Sequence, residues 1–414
     1  MHVGPSDGSS SRSNVARWSF MILVSLWGLT PLASWLGIKA FAPMVALAGI
    51  LLLPGFRIRA NSALLALPII GLVIWALITG FWSPYQPSSP WQSTSVKLVP
   101  EAILYLSACF GWQSLSDSQA RQVGKVLAIS MAGLAILLLV EAATGCLLYR
   151  TFRSLIGSSI RPDLGVRNVC RALYPLVLLT PAAGFAATRI LRKPILALVM
   201  VAGVAWTSIH FSYDAPLMAL IAGAIAGVFV YAFPRIATFV LGIATAAYFI
   251  VMPVFIHLVF SSPSISHFLL KAPLSWQQRL GYWKFATEQI WRHPALGWGL
   301  DASRTFAPDI QLHPHNSALQ IWLELGGIGV LMASILWVYL FWNLKRRHSD
   351  ARIAVSAATM VIYLTVGGVS FGVWQEWWLA CAALAAIACQ LAGRWSEYDG
   401  SISFAPEFRL NGSP

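Results

Sequence analysis

Charged residues are scarce in this chain: they make up 10% of its 414 residues, whereas hydrophobic residues make up 57%. An ordinary soluble domain contains roughly 25% charged residues. Long apolar runs such as 126–140 and 217–233 show no alternation with polar residues, which excludes a membrane β-barrel. Only helices and closed barrels can satisfy every backbone hydrogen bond within lipid. With the barrel excluded, we predict an all-α polytopic membrane protein.

Several chemical signatures are also missing. The five cysteines have no metal-ligand spacing and are predicted to be small core residues. Cys146 and Cys170 flank one loop, so a disulfide between them is the minor alternative. No G-x-S-x-G context exists for a serine nucleophile. The net charge of +13 is divided among short loops, which argues against nucleic acid as a partner.

The apolar runs and their breaks predict about twelve membrane helices. The first two are tightly joined at 37–39, so eleven is the alternative. We predict a disordered cytoplasmic N-terminus at 1–16, nine helices within 17–260, a large loop at 261–316, three helices within 317–394 and a cytoplasmic tail at 395–414. The twelve segments lie near 18–36, 40–54, 63–82, 97–113, 122–143, 169–188, 194–210, 215–233, 236–260, 317–343, 352–370 and 373–393.

The basic residues orient the chain. With a cytoplasmic N-terminus, the short inner loops carry most of the Lys and Arg, in agreement with the positive-inside rule. This orientation places the loops at 144–168 and 261–316 on the outer side. The inner loops hold Arg57, Arg59, Arg121, Lys125, Arg189, Arg192, Lys193, Arg235, Lys345, Arg346, Arg347 and Arg352.

The two outer loops are nevertheless basic. Guanidinium groups bind phosphate oxygens bidentately and stay charged, so this concentration predicts an anionic ligand on the outer face. The alternatives are anionic lipid headgroups or plain solvated charge. The first loop holds Arg150, Arg153, Arg161 and Arg167 against Asp163 alone, with Arg171 just inside the next helix; the second holds Lys271, Arg279, Lys284, Arg292 and Arg304.

The second outer loop has its own local structure. Residues 276–291 are rich in Trp and predict a helix along the membrane surface, with Ser275 as N-cap and Pro294 as terminator. Arg279 and Trp283 share one face of that helix. Gly297 and Gly299 then indicate tight turning, and we interpret Asp301 as a turn residue.

His315 is the strongest candidate for chemistry, because it stands where this loop enters an apolar helix. Pro314 restricts the backbone before it, and histidine suits proton transfer or the orientation of a hydroxyl. Asn316, Gln320 and Glu324 follow at i, i+4 and i+8, a polar stripe that must face the bundle interior or a wet cavity. His313 is a further polar candidate. A metal site at His313 and His315 is not supported, since no carboxylate or cysteine has ligand spacing.

The motifs resemble those of the O-antigen ligase family of bacterial inner-membrane glycosyltransferases. The similarity runs through 279–283, through 293–299, and above all through His315-Asn316 with nine residues before Gly326 and then Gly329. It implies a GT-C-like fold of about twelve transmembrane helices with one large periplasmic loop. The N-terminal half matches only in architecture.

The resemblance also implies a function: transfer of a glycan from an undecaprenyl-diphosphate carrier to an acceptor sugar at the periplasmic face, without metal or other cofactor. The acceptor would be lipid A core or a growing polysaccharide. By resemblance, Arg279 would bind the diphosphate and His315 would orient or deprotonate the acceptor hydroxyl. His313, Asn316, Gln320 and Glu324 would support the acceptor side.

One position departs from the family pattern. Many relatives carry a Ser-Arg pair where this chain reads Ser212-Tyr213-Asp214. Arg161, Arg167 and Arg171 are the candidates for the missing diphosphate ligand, and Arg167 is the preferred one.

Other functions remain as alternatives. A polysaccharide polymerase of the same family would use the same loop chemistry to join carrier-linked repeat units. A flippase for a lipid-linked saccharide would need paired repeats or helices broken near the midplane, and neither is evident in the sequence. A purely structural membrane subunit leaves the outer arginines and the polar stripe unexplained.

Overall fold

The computed structural model describes residues 8–57, 60–263, 267, 271–344 and 350–395, and this part of the chain is helical without strands. Its helices, numbered in chain order, are α1 (Gly8–Leu36), α2 (Phe41–Leu52), α3 (Ala60–Thr79), α4 (Thr94–Gly111), α5 (Asp117–Ala143), α6 (Leu147–Leu155), α7 (Pro162–Arg171), α8 (Leu173–Arg189), α9 (Pro194–His210), α10 (Asp214–Ala232), α11 (Pro234–Ser261), α12 (Leu274–Ile290), α13 (Ser317–Asn343), α14 (Ala351–Val369) and α15 (Glu376–Trp395).

The prediction of an all-α polytopic membrane protein is confirmed. Within the described residues, nine helices are long and apolar enough to cross a membrane, and Ala66–Trp82 and Pro194–His210 are shorter apolar helices. Each of the twelve predicted segments coincides with a helix. The exact count of twelve spans stays a prediction.

Three boundaries differ from the prediction. Helix α1 begins at Gly8, so residues 8–16 are helical rather than disordered; no proline interrupts them, and a helix extends readily once it is nucleated. The outer loop at 144–168 contains α6 and most of α7, because Tyr149 and Phe152 pack on Trp35 with ring centroids 5.6 and 5.4 Å away. Helix α12 starts at Leu274 without the predicted Ser275 cap.

Some predictions lie outside the described residues: the N-terminal residues 1–7, the tail beyond Trp395 and the inner-loop residues Arg59, Lys345, Arg346 and Arg347. Of the cysteines, Cys109, Cys146, Cys170 and Cys381 are buried free thiols, and Cys389 is partly buried. They behave as the predicted core residues, and Cys146 and Cys170 are not joined in a disulfide.

Helix α8 is the centre of the bundle. In Pro162–Arg189, 83% of the most apolar stretch is buried inside the protein, more than in any other candidate span of the described residues. Helix α8 packs against α5, α9, α14 and α15. Elsewhere in the bundle, a small residue allows two helices to approach closely: a Cβ added at Gly223 of α10 would lie 2.5 Å from Ile362 of α14. Helix α8 therefore contacts several other helices at once.

Helix α13 is broken at Gly326, whose φ is 65° and ψ −168°. Segment 294–299 lies in the break: Trp298 N–H donates to Leu323 O (2.8 Å), Gly299 N–H to Glu324 O (2.9 Å) and Gly327 N–H to Pro294 O (2.8 Å). The Trp75 indole donates to Leu325 O at 3.0 Å. The break thus leaves these backbone groups satisfied, as burial requires.

A broken helix, which the flippase alternative would need, was not evident in the sequence, because nothing in the apolar pattern reveals a partner segment distant in sequence. The break is filled by the backbone of segment 294–299. A Cβ added at Gly326 would lie 2.3 Å from Ala295 O, and one added at Gly297 would lie 2.5 Å from Glu324 O. The glycine motifs at 297–299 and 326–329 therefore join the loop rigidly to α13.

Candidate active site

The approach to α13 is held in a defined shape. Asn316 is the N-cap, and its Oδ1 accepts the Leu319 N–H at 3.0 Å. The Trp283 indole of α12 donates to Pro314 O at 2.9 Å. Between these anchors, His315 has a positive φ of 57°, a backbone conformation that non-glycine residues seldom adopt. Backbone strain of this kind is concentrated at functional sites, where it fixes the orientation of a side chain.

The ring of His315 is fixed in its tautomer. Its Nδ1 lies 2.5 Å from the carbonyl oxygen of Ser370, between α14 and α15. A carbonyl can only accept, so Nδ1 carries the proton and Nε2 carries the free lone pair. The ring also stacks on Tyr282 of α12, with centroids 6.0 Å apart and planes at 18°. His315 is therefore oriented with a basic nitrogen that no other described side chain occupies.

Electrostatics keep His315 unprotonated. Burial lowers its pKa below the ordinary value of 6.5; the Ser370 carbonyl opposes that change, and the charge of Arg279 adds to it. At neutral pH the base form is consequently the dominant one, as proton abstraction from a hydroxyl requires.

His313 is a buried neighbour with a different role. Its Nδ1 accepts the His315 N–H at 3.2 Å, and its Nε2 lies 3.0 Å from Gln375 Nε2. Burial, with smaller contributions from the neighbouring His315 and from the charge of Arg304, lowers its pKa to about 3. His313 is therefore a neutral ring, and it holds the backbone of His315 in place.

The polar stripe faces the interior, as predicted, because Asn316, Gln320 and Glu324 are all buried. Glu324 accepts from Ser303 Oγ (2.5 Å), Gln320 Nε2 (3.2 Å) and the Trp374 indole (2.6 Å). Gln320 Oε1 accepts the Val373 N–H at 2.8 Å. Gln320 and Glu324 thus tie the loops around His315 to α13. Only the Asn316 Nδ2 group of this stripe lacks a protein partner among the described residues.

Arg279 is a half-buried cation without a carboxylate. Its Nη1 donates a long bond of 3.4 Å to Ser275 O, and its guanidinium lies 5.1 Å from the Trp276 ring centroid. Its Nε is buried with no partner, and it forms none of the ion pairs found within the described residues. Because buried charge is normally paired, this geometry fits an anion that binds beside His315.

The other candidate arginines are placed differently. Arg161 is exposed and pairs with Asp163 at 3.1 Å, and Arg167 is exposed. Arg171 is half-buried, with a 3.5 Å bond to Asn168 Oδ1. Burial raises the pKa of Tyr213, and the charges of both Arg171 and Arg279 act against that rise. Of the three candidates, Arg171 is the one whose charge acts on Tyr213, the tyrosine on which the charge of Arg279 also acts.

The departure at Ser212-Tyr213-Asp214 has a structural consequence. Asp214 Oδ2 accepts from the Trp276 indole at 3.2 Å, which docks the start of α12 on α10. Tyr213 packs edge-on against Tyr174 with ring centroids 5.7 Å apart. This position therefore supports the helix that carries Arg279 instead of supplying a cation.

Sequence reasoning missed the contribution of α8 and of the 370–375 turn. The carbonyl of Ser370 contacts His315, and Gln375 contacts His313. Tyr174 reaches His315 through Ser370. No charge or motif marks them, since each is remote in sequence from the loop it contacts. The turn packs closely on His313, since a Cβ added at Gly372 would lie 2.9 Å from the His313 ring.

Fold and site together define a multi-pass helical membrane protein in which Arg279, which forms no ion pair within the described residues, acts electrostatically on the neutral, oriented His315. The O-antigen ligase family model matches residues 192–334, the region that contains Arg279, His315 and the α13 break. The predicted resemblance to the O-antigen ligase family is therefore confirmed.

Curated relatives agree over a similar length. A protein of Rickettsia conorii named "Putative polysaccharide ligase" is 35% identical over 119 residues, 25% of this chain and 28% of that protein. Relatives with the same description from Rickettsia bellii and Rickettsia felis are 34% and 32% identical over 128 and 117 residues, 31% and 28% of their lengths. The matched segment thus spans about a third or less of each relative.

Proposed function

We propose that this protein is a glycosyltransferase of the O-antigen ligase type, which moves a glycan from an undecaprenyl-diphosphate carrier to an acceptor sugar at the periplasmic face of the bacterial inner membrane. The observation that carries the proposal is the placement of Arg279, a half-buried cation without a carboxylate, on the helix that stacks Tyr282 on His315. The family match over 192–334 supports it.

The chemistry follows from the two groups. His315 Nε2 takes the proton of the acceptor hydroxyl while that oxygen attacks the anomeric carbon of the donor sugar. The bond between this carbon and the phosphate oxygen breaks, and the carrier diphosphate leaves with the electron pair. Arginine contacts that strengthen as this negative charge develops lower the barrier.

Arg171 is the best-placed second ligand for the diphosphate. It lies at the end of α7 and, like Arg279, acts electrostatically on Tyr213. Arg167 and Arg161 stay predictions whose contribution the following comparison measures. Asn316, through its unpartnered Nδ2, supports the acceptor side.

The function is tested in a deletion strain whose surface glycans and carrier-linked glycans are separated on gels. Loss of polymer from lipid A core with carrier-linked chains retained supports a ligase. Accumulation of single repeat units supports the polymerase alternative. Carrier-linked glycan confined to the cytoplasmic face supports the flippase, and unchanged glycans contradict all three.

The site is tested by complementation with alanine variants of Arg279, Arg171, Arg167 and Arg161. We expect Arg279→Ala to lower transfer by at least about 100-fold, as removal of a transition-state donor does, and Arg171→Ala to approach that loss. For Arg161→Ala we expect the smallest loss of the three candidates, because its charge is already paired with Asp163. Arg189→Ala is the matched control, because Arg189 is exposed and belongs to a predicted inner loop. If Arg167→Ala rather than Arg171→Ala abolishes transfer, Arg167 is the second ligand.

A further inference from the structure

We propose that Tyr174 and Ser370 are positioning residues for this reaction: the Tyr174 hydroxyl, through the Ser370 hydroxyl, holds the turn whose carbonyl selects the tautomer of His315. The inference rests on the proposed function, because it takes His315 to be the base. It adds a contribution from α8, which lies outside the family match and outside every sequence motif.

Tyr174 is built into the bundle as an anchor. It is 2% exposed, and its hydroxyl lies 3.2 Å from Ser370 Oγ. Its ring packs edge-on against Phe371 at 4.5 Å and Trp378 at 6.4 Å. The phenol therefore contacts Ser370 and Phe371 at the start of the 370–375 turn and Trp378 just after it, which fixes that turn to the central helix.

Ser370 connects this anchor to His315 through two different atoms. Its Oγ meets Tyr174, and its carbonyl accepts from His315 Nδ1 at 2.5 Å. Ser370 is the C-cap of α14, with its own N–H bonded to Val366 O at 2.9 Å. A carbonyl at a helix end has no intrahelical donor, so it is free to accept from the histidine ring.

No other described group selects the tautomer. Tyr282 contacts the face of the His315 ring. His313 packs against the same ring with centroids 4.2 Å apart, but its hydrogen bond is to the backbone N–H of His315 and not to a ring nitrogen. The titratable and charged groups around the ring are His313 in the same loop, Arg279 and Tyr282 on α12, and Tyr174 and Tyr213 behind the turn. If the carbonyl moved away, Nδ1 would lose its acceptor and Nε2 would carry the proton in part of the molecules.

The test compares Tyr174→Phe and Ser370→Ala, which remove the hydroxyl contact but leave the carbonyl in the chain. For each we expect kcat for glycan transfer to fall about ten-fold, equivalent to ~1.4 kcal/mol, with KM for donor and acceptor unchanged. The acid limb of the pH profile should move to lower pH, because the carbonyl bond raises the pKa of His315. The double variant should be no slower than either single one.

Tyr363→Phe is the matched control. Tyr363 of α14 stacks on the same Trp378 with centroids 4.7 Å apart, but within the described residues it does not bond to Ser370. It should keep the parental rate and pH profile, and Ser370→Thr, which retains a hydroxyl, should restore activity relative to Ser370→Ala.

Two results would overturn the inference: equal behaviour of Tyr174→Phe and Tyr363→Phe, or additive losses in the double variant. Failure of the proposed function looks different, because His315→Ala would then retain transfer. If His315→Ala is inactive while Tyr174→Phe is unchanged, only the positioning role is refuted.

Discussion

At the scale of single residues, two histidines that are neighbours in sequence have different surroundings. His315 keeps a free Nε2 and a contact from Nδ1 to a carbonyl, whereas both ring nitrogens of His313 contact other groups. Both are held neutral by burial. Their different hydrogen bonding makes His315 the candidate base and His313 a support, and each role has its own dependence on pH.

For His315 we expect glycan transfer to persist below the usual histidine range. Because burial and Arg279 lower its pKa below 6.5, the base form is still present at pH 6.5 and is lost only as pH falls through the lowered pKa. The measurement is the pH dependence of kcat/KM with carrier-linked donor. An acid limb centred above pH 6.5 would contradict the assignment, and residual activity of His315→Ala should show no such limb.

For His313 the effect is on stability. Its pKa is lowered from 6.5 to about 3 in the folded protein, so between these values the unfolded chain binds more protons. The free energy of unfolding therefore falls as pH decreases from about 6.5 toward about 3, by up to ~1.4 kcal/mol per pH unit from this residue. Thermal midpoints of the detergent-purified protein at pH 7.5 and 5.0 measure it.

His313→Asn should reduce this acid sensitivity, since it keeps a polar side chain without the titration. His293→Asn is the control, because His293 is exposed and should leave the loss of midpoint between pH 7.5 and 5.0 unchanged. Equal acid sensitivity in both variants would show that His313 is not held neutral.

At the scale of elements, the break in α13 joins the loop to the membrane bundle. The segment at 294–299 replaces the missing helical hydrogen bonds, and Glu324 just before the break holds Ser303 and Trp374. This construction explains why glycines occur at 297 and 326: each approaches the other's backbone where a Cβ has no room. The position of His315 relative to α12 depends on that junction.

Gly326→Ala should therefore disrupt the junction. With φ 65° and ψ −168°, Gly326 lies in a backbone region that is essentially restricted to glycine, where a residue with a Cβ costs ~1–3 kcal/mol, and the contact with Ala295 O adds to that cost. We expect a lower thermal midpoint and loss of transfer. Gly133→Ala on α5 is the control, because nothing lies within 4 Å of its added Cβ; a similar loss in both variants would contradict the account.

Sequence patterns predicted the helices well because long apolar runs report directly on burial in lipid. They also indicated Arg279 and His315 as candidate site residues, since an ionisable residue at a membrane boundary is costly and stands out; their roles stay a prediction. They did not predict the break at Gly326 or the contacts of Ser370 and Tyr174. Those features depend on pairing between residues distant in sequence, and neither hydrophobic period nor charge encodes such pairing.

At the scale of the whole molecule, the orientation in the membrane decides whether the site can meet a periplasmic acceptor. The distribution of Lys and Arg predicts that the start of α9, with Lys193, lies inside and that the α6–α7 region, with Arg161, lies outside. Both side chains are exposed. The loops that carry Arg279, His315 and Ser370 lie on the same side as Arg161 in this orientation.

We expect Arg161→Cys to react with a membrane-impermeant maleimide in intact spheroplasts, whereas Lys193→Cys should react only after the membrane is opened. The parental chain controls for background, because four of its cysteines are buried and Cys389 is partly buried. The opposite labelling pattern would place His315 on the cytoplasmic side. Since a carrier-linked glycan is joined to its acceptor on the side where His315 lies, that result would exclude transfer at the periplasmic face whatever the site chemistry.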